Sequence, residues 1–158
     1  MGEIISIVYQ PEATDVTHGE FYRVPVDEAS LLAGHGIEGD RKAGRNPKRH
    51  LNIMMRETLD DLAMCGYKTG AGAMGEQLQI RGVDIESLPS GTLLKLGDSA
   101  IIRLNKFRAG CVWLEQIQGR DCADLENRIG LMATVMESGI IRVGDPVEII
   151  AIPELIDA

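Results

Sequence analysis

Short β-branched runs, each cut off by glycine or proline, constrain this chain more than any other feature. Glu3–Val8 carries Ile4, Ile5, Ile7 and Val8 and stops before Pro11. Phe21–Val26 alternates, and Pro25 puts it at a sheet edge, because proline cannot donate to a ladder. His50–Met55 and Glu76–Arg81 read as further strands. Thr92–Leu96, a Gly97-Asp98 turn and Ala100–Leu104 read as a hairpin. Leu131–Glu137, Gly139–Val143, a Gly144-Asp145 turn and Pro146–Ile152 complete the set. The two Gly-Asp segments look alike, and two hairpins with the same turn chemistry explain that better than duplication.

Helical periodicity is scarcer. Arg56–Cys65 places Leu59, Leu62 and Ala63 at i, i+3 and i+4, and Gly66 ends it. Val112–Ile117 and Ala123–Ile129 are shorter candidates. Many strands with tight turns and about three short helices predict a β-rich α+β fold with a β-barrel-like core. The 158 residues suit a single domain spanning residues 1–158. Aromatics are only 4% of the chain, so its core is expected to be aliphatic.

Charge narrows the partners. The chain carries a net charge of −8, which argues against general nucleic-acid binding. Between Asp40 and Arg56, however, there are six basic residues and one acidic, a local charge of +5. A basic island in an acidic chain suits a discrete anionic ligand better than a polyanion. The alternative is a solvated loop whose charges merely cluster. There is no basic segment followed by a long apolar run at the N-terminus, and no apolar stretch of membrane-spanning length. Three cysteines, Cys65, Cys111 and Cys122, form no disulfide framework. A cytoplasmic protein with free thiols and no membrane partner is the expectation.

The basic island overlaps a long Gly-rich loop, Gly34–Pro47. Gly34-His35-Gly36-Ile37-Glu38-Gly39 matches G-x-G-x-x-G, but the residues after it have no apolar face and cannot open a dinucleotide-binding helix. The glycines better serve close backbone approach to an anion. His18, His35 and His50 lack zinc-site spacing. Among the thiols, Cys65 lies near the end of an amphipathic helix and reads as a buried apolar residue. Cys122 is open to either role. Cys111 follows a strand in Arg108-Ala109-Gly110-Cys111 and precedes a predicted helix, and both an arginine and a helix N-terminus favour a thiolate.

Taken in order, these motifs resemble the MOSC family, the C-terminal domain of molybdenum cofactor sulfurases. Gly36-Ile37-Glu38-Gly39-Asp40-Arg41 is similar to its G-[IV]-x-G-D-[RK] signature, and Arg49-His50-Leu51-Asn52-Ile53 to its R-[QH]-[VL]-[SN]-[IL] strand. Gly75-Glu76-Gln77-Leu78 resembles its G-E-N-L strand, with Gln77 in place of Asn. Leu88-Pro89-Ser90-Gly91-Thr92 and Gly139…Gly144-Asp145-Pro146-Val147 resemble later segments, and Cys111 falls near the family cysteine, after Gly110 where many members have Pro.

The resemblance implies a MOSC-type β-barrel-like core and the molybdenum cofactor (molybdopterin) as ligand. It implies Cys111 as the catalytic thiol and metal ligand. It implies Gly36, Gly39, Arg41, Arg49, Asn52 and Arg108 as cofactor-binding residues, with Asp40 orienting Arg41. The implied chemistry is reduction of N-oxygenated substrates or sulfur transfer through a cysteine, served by a separate electron-donor or sulfur-donor protein. The alternative is a non-catalytic carrier or sensor of the cofactor or its sulfur.

Overall fold

The computed structural model describes residues 1–11, 23–41, 43–109, 114–115, 118–120, 125 and 127–153. In chain order the elements are β1 (Gly2–Tyr9), β2 (Val24–Val26), β3 (Glu28–Leu32), β4 (Gly36–Ile37) and β5 (Leu51–Met55). Then come α1 (Arg56–Met64), β6 (Leu78–Arg81), a 3₁₀ turn at Ile85–Ser87, β7 (Leu93–Leu96) and β8 (Ala100–Phe107). The last three are β9 (Leu131–Glu137), β10 (Gly139–Arg142) and β11 (Pro146–Ala151).

Seven strands close on themselves in the order β11-β7-β8-β9-β5-β6-β1, with β1 returning to β11. Closure removes the open edges that a sheet of this length would leave. β1 completes the ring by dividing one of its edges. Gly2 and Glu3 pair with Val147 and Pro146 of β11, whereas Ile7–Tyr9 pair with β2. Pro25 lies in that edge strand, as its missing N–H requires. A second sheet, β10-β3-β4, adds Leu31, Ile37 and Ile141 to the same aliphatic core.

Period-2 sequence produces most of the wall, and an irregularity between Ile4 and Ser6 brings both Ile4 and Ile7 into it. Ile4, Ile7, Leu51, Ile53, Leu78, Ile80, Leu94, Leu96, Ile102, Leu104, Ala133, Val135 and Val147 meet in one aliphatic cluster. β5 and β6 are a parallel pair, and a parallel neighbour needs a crossover. α1 supplies it. Its Leu59 and Leu62 are buried with Met54, Tyr67, Met74, Leu114, Leu125 and Ile129 in a second apolar cluster. No helix among the described residues is long and apolar enough to cross a membrane.

Four expectations need correction. One α-helix, not about three, stands complete among the described residues. The helices expected over 112–117 and 123–129 fall largely outside those residues. Leu114, Leu125 and Ile129 are buried in the second cluster, and apolar burial alone does not require a regular helix. Cys65 is exposed, not buried, because α1 ends at Met64 and turns only Thr58, Leu59 and Leu62 inward. The Gly144-Asp145 turn does not close a hairpin: β10 pairs with β3, and β11 with β7 and β1. The turn instead bonds to β1, Gly144 N–H donating to Ile4 O and Ile4 N–H to Asp145 O. Finally, the Asp40 carboxylate bonds elsewhere than Arg41, as described next.

Candidate functional site

The Gly-rich loop, the start of β5 and the turn before β6 meet on the outer side of the barrel. A cleft of about 260 Å³ opens there, lined by Arg45, Asn46, Arg49, Gly75 and Gln77. Arg49 is half-buried and Arg45 exposed. Two guanidinium groups at one polar cleft suit planar, bidentate recognition of an anion.

The floor is a network of buried polar side chains. Gln77 accepts from the Asn52 backbone N–H through Oε1 at 2.7 Å and reaches Asp40 Oδ2 through Nε2 at 3.5 Å. Asp40 is buried and takes the Gln10 N–H at 3.0 Å on Oδ1. Arg41 N–H donates in turn to Gln10 O at 2.7 Å, and Pro11 bridges Asp40. The Gly-Asp-Arg signature is thus stitched to the end of β1 by its Asp, while the Arg41 side chain stays half-buried. Asn52 donates through Nδ2 to Ile129 O at 3.3 Å, but its buried Oδ1 has no hydrogen-bond donor among the described residues. A buried carbonyl oxygen left unsatisfied costs free energy unless a ligand or water supplies a donor.

Glu76 organises one wall. Its fully buried carboxylate accepts from Gly72 N–H at 2.6 Å, Met74 N–H at 3.1 Å and Gln79 Nε2 at 3.0 Å. Burial raises its pKa above the usual carboxylate value, and the three hydrogen bonds oppose that rise. The turn held this way is a seat for arginines. A Cβ at Gly75 would lie 2.7 Å from Arg108 Nη2, and one at Gly72 would lie 3.0 Å from Arg23 Cδ. Arg108 Nη1 donates to Met74 O, and its backbone N–H to Gly130 O at 2.9 Å.

The expected residues therefore distribute unevenly. Arg49, Asn52 and Arg108 lie at or directly behind the cleft. Gly36 is buried against the His50 carbonyl, and Gly39 is exposed near Tyr9; both have positive φ, which glycine tolerates at no steric cost. Cys111, expected as the catalytic thiol and metal ligand, lies outside the described residues, as does Cys122. Reading the sequence overlooked Arg23 and the role of Glu76. The available signals were an arginine inside an alternating strand and an acidic residue directly after a glycine turn at the start of an alternating one.

A closed seven-strand barrel with a basic, polar cleft on its outer side defines the class. The MOSC domain model matches residues 40–148, more than half of the chain, and the chain belongs to the MOSC domain family. By structure it is similar to YiiM from Escherichia coli, at 24% identity and a TM-score of 0.70, over 94% of this chain and 70% of that one. It is similar to YiiM from Geobacillus stearothermophilus, at 19% and 0.70, over 96% and 76%. It is also similar to the YuaD protein from Bacillus subtilis, at 18% and 0.75, over 94% and 95%. These likenesses show the shared fold. Among curated proteins none matches the chain by sequence.

Proposed function

We propose that the cleft holds the molybdenum cofactor and that the protein is a small reductase of N-oxygenated compounds. The observation that carries this reading is the meeting of Arg45, Arg49 and the seated Arg108 with the Asn52–Gln77–Asp40 floor. The residues present fit such a group. Arginine forks suit its phosphate. Gln77 and the unsatisfied Asn52 Oδ1 suit the donors and acceptors of a pterin edge. When bound, the cofactor supplies metal-centred redox chemistry.

The chain's own residues do the rest. Arg45 and Arg49 concentrate positive charge at the mouth of the cleft. Asn52 and Gln77 orient the ligand from a floor fixed by backbone hydrogen bonds. Glu76 holds the turn that seats Arg108. Cys111 follows Arg108 by three residues, and its assigned role is that of a soft thiolate ligand, favoured by nearby cations. Electrons come from a separate donor protein. Sulfur transfer through the same thiol is the other chemistry open to a MOSC domain, and the substrate arms below separate the two.

The test is expression of the full chain in a host that makes the cofactor. Bound molybdenum and the fluorescent oxidised pterin are measured for wild type, Cys111→Ser and Cys122→Ser. The expected result is both groups in wild type and in Cys122→Ser, with molybdenum lost from Cys111→Ser. Turnover of a hydroxylamine with a chemical reductant supports reduction; transfer of labelled sulfur without such turnover moves the assignment to sulfur chemistry. Wild type carrying neither metal nor pterin overturns the reading.

A further inference from the structure

The turn that closes one side of the cleft has little with which to hold itself. Residues 70–75, Gly-Ala-Gly-Ala-Met-Gly, offer one large side chain, Met74. Their three glycines lose more backbone freedom on folding than other residues do. Among the described residues, the bonds from this backbone to other backbone are local: Ala73 N–H to Gly70 O and Gly75 N–H to Gly72 O, both at 2.9 Å. Side chains tie the turn to the rest of the molecule. Glu76 and Arg108 do so from beside it. Gln118 does so from a part of the chain that contributes nothing to the lining of the cleft.

Gln118 is only 6% exposed. Its Oε1 accepts the Lys68 N–H at 2.7 Å, and its Nε2 donates to Lys68 O at 2.8 Å. The amide thus closes a ring on the Lys68 backbone, as a residue of a neighbouring antiparallel strand would. The same Nε2 donates to Ala73 O at 3.1 Å and lies 3.0 Å from Met74 Sδ. Lys68, where the turn is entered, and Ala73 and Met74, next to the cleft-lining Gly75, therefore share one anchor. An amide has the donors and the acceptor for this, and no other side chain of its length has both. The chain on either side of Cys111 is tied to the same turn, Arg108 before it through Met74 O and Gln118 after it through Lys68 and Ala73. We infer that Gln118 is a positioning residue of the cleft: its amide latches residues 68–74 and so sets Gly75 and the Arg108 seat where a ligand meets them. The latch stands on these hydrogen bonds; its effect on the cofactor rests on the function proposed above.

Amide exchange and calorimetric titration with inorganic phosphate, both on the full, cofactor-free chain, test this. Gln118→Met keeps the length of the side chain without its hydrogen bonds. Gln118→Glu keeps the acceptor for Lys68 N–H but turns a carboxylate oxygen on the two carbonyls. Leu96→Ala removes burial from the barrel core, away from the turn, and serves as the control. In Gln118→Met, exchange at Lys68 and residues 72–75 should quicken roughly ten- to hundredfold, the scale of two lost neutral hydrogen bonds, with β5 and β6 at wild-type rates. Phosphate should bind about three- to tenfold more weakly, because the ordered wall is populated for only part of the time. Saturating phosphate should slow exchange at 72–75 again, since a ligand that needs the ordered wall also favours it. Gln118→Glu should match or exceed these effects. Leu96→Ala should quicken exchange throughout the barrel and leave phosphate affinity unchanged.

Unchanged exchange at 72–75 in Gln118→Met overturns the inference, as does quickened exchange there with wild-type phosphate affinity. An equal loss of affinity in Leu96→Ala overturns it too, because the effect would then be one of stability alone. If Gln118→Met does not fold, wild-type exchange and affinity in Gln118→Glu overturn it instead. A wild type that binds no phosphate also overturns it. Cofactor loading of the wild type separates this inference from the proposed function. The expected changes in Gln118→Met, beside a wild type that never loads cofactor, leave the latch standing and remove the function. A wild type that loads, beside a Gln118→Met that does not loosen, keeps the function and removes the latch.

Discussion

At the scale of single residues, glycine is the informative type, and position decides what each one does. Gly75 has φ +82° and lies where a Cβ would strike the Arg108 guanidinium. Gly34 has φ +73° with open space around it. Alanine at either position pays left-handed strain of about 1–2 kcal/mol. The Gly75→Ala variant should in addition weaken phosphate binding by displacing Arg108, and Gly34→Ala should not. Titration of the two variants beside their melting curves checks the distinction; equal phosphate affinity in both contradicts the seat. His50 makes a pH prediction. Its buried Nδ1 accepts the Val135 N–H at 3.0 Å, and burial, with His35 nearby, lowers its pKa below the usual 6.5. A depressed pKa means that this stability is present above 6.5 and is lost as the pH falls through the folded-state value. Protonation removes the acceptor, a bond worth about 1 kcal/mol. The melting temperature should fall by roughly 2–4 °C for that loss, and His50→Asn should flatten this part of the pH profile.

At the scale of elements, α1 holds the site from outside the barrel. Leu62 is almost fully buried in the second cluster with Met74, one residue from Gly75. Leu62→Ala should cost about 2–5 kcal/mol in denaturant unfolding, from lost burial plus the cavity left behind. A loss below about 1 kcal/mol would mean that α1 is not anchored as described. The strands were legible because aliphatic residues alternate within them, as Leu78 and Ile80 or Ile102 and Leu104 do, or because β-branched residues crowd them, as Ile4, Ile5, Ile7 and Val8 do. β3 was not, because Glu28-Ala29-Ser30 offers no β-branched residue. β4 is two residues inside a Gly-rich loop, too short for any period to register. The Gly144-Asp145 sequence predicts a hairpin because turn chemistry is local, whereas the choice of β1 as its partner is set by barrel closure. The site was legible through Arg49, Asn52 and Arg108, which lie within ordered motifs. The place of Arg23 was not, since it follows from packing on Gly72, far along the chain.

At the scale of the whole molecule, a basic cleft sits in a chain of net charge −8. The surrounding negative charge repels general polyanions, and the cleft attracts a small anion at short range. Such attraction weakens as the Debye length shrinks from about 30 Å at 0.01 M salt to about 10 Å at 0.1 M. Phosphate affinity should therefore fall steadily with added sodium chloride, and salt-independent binding would argue against the arginines. Under the proposed function this cleft, and no other surface, takes the cofactor. Amide hydrogen exchange of cofactor-loaded against cofactor-free protein measures that directly. A cofactor held in the cleft adds protection at residues 45–53, 72–77 and Arg108 and leaves β10 and β11 unchanged; protection concentrated on those two strands, or none at the cleft, rules the cleft out as its site.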